Sequence, residues 1–197
     1  MNRVGTYKRE TKETSVDVTW DLDGSGRADV ATGIGMLDHL VEQIARHGIF
    51  DITLKAKGDL QIDSHHTVED VAIGLGRALL AALGDAKGIV RMADATVPLD
   101  ESLSQVALDL SGRGHAAISV AWADARIGEL PSDLVEHFLT TLATEGKFNL
   151  HARVLAGVND HHKAESLMKA LARALCAATR IDPRRAGQTP STKETLG

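Results

Sequence analysis

The chain has 197 residues, 43% of them hydrophobic and 25% charged, which is the composition of an ordinary globular protein with enough length for a complete core. Its formal net charge of −5 argues against nucleic acid as the main partner, no apolar run approaches the length of a membrane span, and the start carries no signal-peptide pattern. The single cysteine, Cys176, excludes an intrachain disulfide, so we expect a cytoplasmic protein.

The first half of the chain predicts strands and helices in the order β-β-α-β-β-α. The stretch from Val4 to Val18, continued by Trp20, alternates in the manner of a strand, and a glycine-rich turn leads to a second strand through Ala28 to Thr32. The apolar periodicity of a helix follows from Met36 to Gly48. Two strands and a second helix complete this half: Phe50 to Lys57, Leu60 to Asp63, and a helix that ends near Gly84.

The turn from Asp21 to Gly26 also resembles the nucleophile string of haloacid-dehalogenase phosphatases. Those enzymes need a parallel sheet around the motif, whereas this segment has the pattern of an antiparallel hairpin. The short string Gly33-Ile34-Gly35 is a poor dinucleotide signal, since no third glycine follows at the required spacing. We therefore assign neither function to the chain.

The second half repeats the first. Its strands are predicted at Arg91 to Val97, Glu101 to Asp109, Ala116 to Ala121 and Phe148 to Leu155, and its helices at Leu134 to Gly146 and after residue 159. The sequence therefore predicts an α+β fold with an internal duplication, each half a four-stranded sheet with two helices. We expect one catalytic domain over residues 1–180, made of pseudo-repeats at about 1–88 and 89–180, and an irregular tail over 181–197.

Each half contains a histidine pair with a glutamate four residues after the first histidine: DSHHTVED from Asp63 to Asp70, and NDHHKAES from Asn159 to Ser166. Each string begins with polar residues able to cap a helix and runs into a helical apolar pattern, so each is predicted to be the first turn of a helix. A single string of this kind is more often a capped helix with solvated histidines. Two copies in one chain favour a metal site.

Helix geometry decides how these side chains are shared between ions. Residues i and i+4 share a face, whereas neighbours point about 100° apart. The first histidine and the glutamate of each string can therefore bind one ion, while the second histidine is directed to another. A further histidine precedes each pair, by 26 residues in the first half and 24 in the second. The predicted ligand sets are His39, His66, His161 and Glu165 for one ion, and His65, Glu69, His137 and His162 for the other.

Nitrogen and oxygen ligands without thiolate suit Mn²⁺, Fe²⁺, Co²⁺, Ni²⁺ or Zn²⁺ rather than Ca²⁺ or Mg²⁺. Four protein ligands would close a tetrahedral zinc site. A six-coordinate ion such as Mn²⁺ would keep two positions open for substrate or water, as catalysis requires.

Five strings in this order resemble the imidazoleglycerol-phosphate dehydratase family: LDH (Leu37 to His39), DSHHTVED, EHF (Glu136 to Phe138), NDHHKAES and PSTK (Pro190 to Lys193). The resemblance covers nearly the whole chain. It implies removal of water from D-erythro-imidazoleglycerol phosphate to give imidazole acetol phosphate in histidine biosynthesis. It also implies two Mn²⁺ ions per active site with the ligand sets above, a fold similar to that of GHMP kinases, and a homo-oligomer, a 24-mer built from trimers. Glu194 departs from the family pattern, in which a small residue follows PSTK.

The resemblance also implies roles for residues outside the metal sets. Glu13 matches an acidic residue that contacts the substrate, and it is the candidate general acid or base. The C-terminal tail is expected to contribute to a phosphate site. Substrate-binding roles are implied for Glu13, Gln43, His47, Arg91, Arg113, Lys169, Ser191 and Lys193, of which the last five are expected to contact phosphate.

Two other functions are compatible with the histidine pairs alone. One is a metal-storage shell, and the other is a dinuclear metallohydrolase. Storage needs no phosphate clamp, whereas a phosphorylated substrate requires cationic residues such as Arg91, Arg113, Lys169 and Lys193. This cationic set favours the dehydratase.

Overall fold

The computed structural model describes residues 3–185 and 187–196. The first half forms a sheet of four strands with two helices: β1 (Val4–Glu10), β2 (Thr14–Asp21), β3 (Ala28–Ala31), α1 (Gly35–Gly48), β4 (Asp51–Gly58) and α2 (His65–Leu83). The second half forms β5 (Met92–Leu99), β6 (Ser102–Asp109), β7 (His115–Ser119), a small hairpin of β8 (Arg126–Ile127) and β9 (Leu130–Pro131), α3 (Asp133–Glu145), β10 (Asn149–Ala156) and α4 (Asp160–Thr179).

The two sheets have the same topology. Their strand orders are β1-β2-β4-β3 and β5-β6-β10-β7. In the first sheet β3 and β4 are the parallel pair, in the second β7 and β10 are, and the other neighbouring strands are antiparallel. The predicted α+β class and the duplication of a four-stranded sheet with two helices are confirmed.

The order of elements differs from the prediction in the first half, where it is β-β-β-α-β-α. The stretch from Val4 to Val18 is a hairpin, not one strand, because the Thr11 hydroxyl accepts the backbone N–H groups of Glu13 and Thr14 and turns the chain. The alternation of side chains continues through this turn and hides it. The predicted strand at Leu60 to Asp63 is a turn in the structure.

The core is aliphatic and continuous through both halves. On β2 the alternating side chains of Val16, Val18 and Trp20 are buried, and the Trp20 ring meets the edge of Phe50 at a centroid distance of 5.5 Å. At Gly5 a Cβ atom would overlap the carbonyl oxygen of Ala78, so β1 packs closely on α2 because this residue is glycine.

The helices of the two halves pack against each other, α1 on α4 and α2 on α3. Each helix also packs on the sheet of its own half, and each pair therefore joins one half to the other. Within the described residues, no helix is long and apolar enough to cross a membrane.

The C-terminal tail returns to the start of β5. It forms a short 3₁₀ helix at Pro183–Arg185, and Gly88 exchanges backbone hydrogen bonds with Asp182 and Gln188 on its two sides. The guanidinium group of Arg91 donates to the carbonyl oxygen of Pro190 at 2.7 Å. The described part of the tail is thus fixed to the segment before β5 and to Arg91 by specific contacts.

Candidate metal centre and substrate pocket

Both histidine pairs lie at helix N-termini, as predicted. The side chain of Asp63 accepts the backbone N–H of His65 at 2.8 Å, at the start of α2. At the start of α4, Asn159 is the N-cap, and its side-chain oxygen accepts the backbone N–H groups of His161 and His162. These hydrogen bonds hold the backbone at the start of each helix, where the histidine side chains project.

The first cluster comprises His39, His161 and Glu165, whose ligand atoms all lie within 4.8 Å of one another. Nε2 of His39 and Nε2 of His161 lie 3.3 Å and 3.1 Å from the same carboxylate oxygen of Glu165. Nζ of Lys169 lies 2.7 Å from the other carboxylate oxygen of Glu165. Burial opposes ionisation of Glu165, but the hydrogen bonds from Lys169 and His39 outweigh it and lower the pKa of Glu165 to about 2. The cluster therefore presents an ionised carboxylate between two imidazole rings.

The second cluster comprises His65, Glu69 and His137. The two imidazole rings lie 4.7 Å apart at their centroids, and Nε2 of His137 is 3.8 Å from a carboxylate oxygen of Glu69. Within the described residues, Nε2 of His137 is buried and has no hydrogen-bond partner. A buried nitrogen without a hydrogen-bond partner, next to a second imidazole and a carboxylate, fits the role of a metal ligand.

The duplication relates the two clusters. The first joins α1 to α4 and the second joins α2 to α3, so each takes residues from both halves. The donor set, two imidazoles and one carboxylate, fits a divalent transition-metal ion. Each cluster contains three of the four residues predicted for its ion.

The fourth residue of each predicted set, His66 or His162, lies outside its cluster within the described chain. Neighbouring residues on a helix point in different directions, so His66 does not join the cluster that contains His65, and His162 does not join the cluster that contains His161. Within one chain neither reaches the other cluster, for which it was predicted, either. Each instead contacts carboxylates of its own half. Nδ1 of His66 is 3.1 Å from Asp59, and Nδ1 of His162 is 2.7 Å from Glu101.

These contacts shift the pKa values of both histidines. The hydrogen bond that His66 donates to Asp59 raises the pKa of His66, and the hydrogen bond that His162 donates to Glu101 raises the pKa of His162. Backbone N–H donation from Asn159, followed by the contact with His162, lowers the pKa of Glu101 to about 2. A second carboxylate lies farther from each of these histidines: Glu13 is 3.9 Å from His66, and Asp100 is 3.7 Å from His162.

A cavity of about 550 Å³ lies between the start of β5 and the tail. Its lining includes four of the five residues expected to bind phosphate, Arg91, Arg113, Ser191 and Lys193, together with Arg185. Arg91 has a φ of 80°, in the region that favours glycine, and forms two hydrogen bonds with Asp109 at 2.7 and 3.0 Å. Arg91 therefore holds the tail and the sheet together at the cavity wall, and part of its guanidinium group is already engaged.

The remaining predicted residues lie elsewhere in this chain. Lys169 contacts Glu165 in the first cluster and is not part of the tail cavity. Gln43 donates to the backbone carbonyl of His39, and burial together with the charge of Lys169 lowers the pKa of His47. Glu13 lies on the β1–β2 turn with 58% of its side chain exposed.

Sequence reasoning missed Asp59, Glu101 and Arg185. One signal for Glu101 was present, because the hairpin turn that contains it repeats the turn that contains Glu13. Asp59 and Arg185 have no distinguishing motif, and only the folded chain places them beside a histidine or a cavity.

The fold and the clusters define a class: a duplicated α+β protein with two related imidazole–carboxylate sites suited to metal ions. A model of the family "Imidazoleglycerol-phosphate dehydratase" matches residues 32–175. The chain is 58% identical to the imidazoleglycerol-phosphate dehydratase of Dehalococcoides mccartyi (strain CBDB1), over 98% of this chain and 97% of the relative. It is 53% identical to the chloroplastic protein of the same name from Pisum sativum, over 98% of this chain and 69% of the relative.

Two solved structures have the same fold. The imidazoleglycerol-phosphate dehydratase of Staphylococcus aureus matches with a TM-score of 0.82 at 27% identity, over 91% of this chain and 99% of the other. The protein from Pyrococcus furiosus matches with a TM-score of 0.82 at 31% identity, over 96% and 100%. The chain belongs to the imidazoleglycerol-phosphate dehydratase family. It is an enzyme of the hydro-lyase kind that acts in histidine biosynthesis.

Proposed function

We propose that this chain removes water from imidazoleglycerol phosphate with two divalent metal ions, Mn²⁺ in the cell, held at the two clusters. The observation that carries the proposal is the pair of duplicated clusters, each with two imidazoles and one carboxylate drawn from both halves. The orphaned Nε2 of His137 and the ionised carboxylate of Glu165 support metal binding directly. The same donors would also accept Fe²⁺, Co²⁺, Ni²⁺ or Zn²⁺.

Each ion takes its fourth protein ligand from another copy of the chain. His66 and His162 complete the proposed sets, and within one described chain both lie outside the clusters. This arrangement supports a homo-oligomer whose active sites are shared between subunits. The resemblance to the family supports a 24-mer built from trimers.

When bound, the two ions supply Lewis acidity to the substrate imidazole and fix its orientation. Glu13 acts as the general base that removes the C–H proton from the carbon next to the one that loses its hydroxyl group. The C–H electron pair forms the C=C bond of the enol as the C–O bond breaks, the hydroxide takes up a proton and leaves as water, and the enol then tautomerises to the ketone. Its exposed position on a hairpin turn beside His66 supports contact with a substrate bound between subunits. Gln43 and His47 contact the substrate from α1, beside the first cluster.

The phosphate of the substrate is bound by residues at two places on each chain. The cationic Arg91, Arg113 and Lys193 lie around the tail cavity with Ser191, while Lys169 lies beside the first cluster. Assembly would bring the cavity of one chain to the cluster of another. Arginine donates two parallel hydrogen bonds to a phosphate dianion, so binding energy remote from the reacting carbons fixes their position.

The test is product formation by the metal-loaded protein. Purified chain, stripped with a chelator and reloaded with Mn²⁺, is incubated with imidazoleglycerol phosphate, and the enol of the product is measured by its ultraviolet absorbance in alkali. We expect product only in the reloaded sample. Release of inorganic phosphate instead would indicate a metallohydrolase, and ion uptake without turnover would indicate storage; either result overturns the proposal.

A further inference from the structure

His66 and His162, the two proposed ligands outside the clusters, each have a carboxylate at hydrogen-bond distance from Nδ1, and the nearest acid to Nε2 of His162 is Asp100 at 3.7 Å. Asp59 accepts from Nδ1 of His66 at 3.1 and 3.3 Å, and Glu101 accepts from Nδ1 of His162 at 2.7 Å. A neutral imidazole carries one proton, so a carboxylate at Nδ1 keeps the proton there and leaves the lone pair on Nε2. The ring is then prepared to bind a cation through Nε2.

We infer that Asp59 and Glu101 are positioning residues that keep His66 and His162 in the Nδ1–H tautomer and direct Nε2 to a metal ion of a neighbouring chain. The inference rests on the proposed function, because it takes both histidines as metal ligands. Carboxylates in this role orient a ligand and raise its basicity, and their loss typically weakens metal binding about 10- to 100-fold.

The two carboxylates are anchored differently. Oε1 of Glu101 accepts the backbone N–H groups of Val158 and Asn159, at 3.2 and 2.9 Å, while Oε2 faces His162. Within the described residues, the side chain of Asp59 hydrogen-bonds only to His66. Backbone contacts therefore fix the orientation of the Glu101 carboxylate, whereas in the described residues no other hydrogen bond fixes which oxygen of Asp59 faces His66.

This difference gives a test that separates tautomer control from simple charge. In Glu101→Gln the amide oxygen stays on the two backbone N–H groups, so the amide NH₂ faces Nδ1 of His162. An N–H donor there demands an unprotonated Nδ1 and moves the ring proton to Nε2, which blocks metal binding. In Asp59→Asn the amide can rotate and present its oxygen to Nδ1 of His66, so the tautomer survives. Both substitutions remove one negative charge.

The alternative is that the two carboxylates only stabilise the fold. This alternative is weak, because His66 and Glu101 are each more than a third exposed and exposed ion pairs add little to stability. If the contacts only stabilised the fold, the variants would change the melting temperature of the metal-free protein and leave the affinity for metal unchanged.

The experiment is calorimetric titration of chelator-stripped protein with Mn²⁺, with Co²⁺ absorbance as a second measure of ligand geometry. Variants are compared only where size-exclusion chromatography shows the parent assembly. We expect Glu101→Gln to weaken one of the two sites per chain by at least about 10-fold, and Asp59→Asn to stay within about 3-fold of the parent. Asp17→Asn on β2 and Glu10→Gln on β1, whose carboxylates make no ion pair with a histidine among the described residues, are the matched controls and should bind as the parent does.

His66→Ala and His162→Ala distinguish failure of the inference from failure of the proposed function. If these two variants weaken binding while Glu101→Gln does not, the ligand set stands and the positioning role is overturned. Equal weakening in Glu101→Gln and Asp59→Asn would show a charge effect and would also overturn it. If neither alanine variant changes the titration, the proposed ligand set itself is wrong.

Discussion

His39 and Glu165 lie 126 positions apart in the chain, yet Nε2 of His39 is 3.3 Å from a carboxylate oxygen of Glu165. The packing of α1 on α4 produces this contact, and the packing of α2 on α3 produces the equivalent contact between Glu69 and His137. The two candidate metal clusters therefore form only when the two halves are docked.

Replacement of Glu165 by glutamine should remove the ion of the first cluster. The amide keeps the shape of the side chain but loses the negative charge that would bind a cation between the two imidazoles. It also removes the ion pair with Lys169. We expect kcat/KM to fall by at least about 100-fold, with about one metal ion lost per chain by elemental analysis. Glu42→Gln, an exposed substitution on α1, is the control. Full metal content with normal activity would contradict the assignment of Glu165 as a ligand.

Replacement of Glu13 by glutamine tests the general base. Loss of a positioned acid or base typically costs about 10²- to 10⁴-fold in rate. We expect kcat to fall in this range, with the metal content unchanged and the affinity for substrate close to that of the parent. Glu10→Gln, an exposed substitution at the end of β1 in the same hairpin, should have normal activity. Near-normal turnover of Glu13→Gln with bound substrate would exclude Glu13 as the base.

Local sequence rules were enough for the parts of the site that lie within one helix. The i to i+4 spacing of His161 and Glu165 places both on one face, and the structure shows their ligand atoms 3.1 Å apart. The third member of each cluster came from the duplication, since His39 and His137 precede the two pairs by similar distances. Patterning, spacing and repetition together thus predicted three residues in each cluster.

Contacts set by loops could not be predicted in this way. The chain turns at Thr11 through hydroxyl-to-backbone hydrogen bonds, which leave no trace in the alternation of hydrophobic residues. Asp59 and Arg185 reach their positions through the path of irregular segments, and such paths depend on the packing of the whole domain. The family resemblance grouped Lys169 with the tail residues as a phosphate contact. Within one chain the structure places Lys169 beside the first cluster.

Replacement of Arg113 by alanine tests the phosphate pocket. Arg113 lines the tail cavity, whereas Arg91 also ties the tail to Asp109, so Arg113 is the cleaner probe. We expect KM to rise by at least about 10-fold with a smaller change in kcat, the signature of an interaction made equally in the bound substrate and the transition state. Arg113→Lys should recover part of the loss, and Arg126→Ala is the exposed control. An unchanged KM would place the phosphate elsewhere.

Replacement of Gly76 by alanine tests the docking of α2 on α3. A Cβ atom at Gly76 would lie 2.8 Å from the backbone nitrogen of Gly146 and 2.9 Å from the carbonyl oxygen of Leu142, so the two helices must separate. We expect destabilisation of about 1–3 kcal/mol in denaturant unfolding and weaker metal binding at the second cluster. Gly74→Ala is the matched control, because its Cβ faces Val16 and Val18 on the sheet at 3.0 Å. Equal effects of both variants on metal affinity would contradict this account.

Replacement of Asp51 by asparagine gives a pH-dependent loss of stability. Hydrogen bonds from the Arg27 side chain and from the backbone N–H groups of Arg27 and Ser25 hold the pKa of Asp51 well below its usual value of 3.8. A carboxyl group with a lowered pKa in the folded state stabilises the fold above pH 3.8, and the contribution disappears as the pH falls through the lowered pKa. In thermal melts of metal-free protein we therefore expect the variant to melt below the parent by a constant margin from pH 5 to pH 8, and the margin to shrink as the solution is acidified below pH 3.8. Asp17→Asn, whose carboxylate faces only exposed Lys8, should show a much smaller margin throughout. A margin that grows on acidification would mean that the charge of Asp51 does not stabilise the turn between β2 and β3.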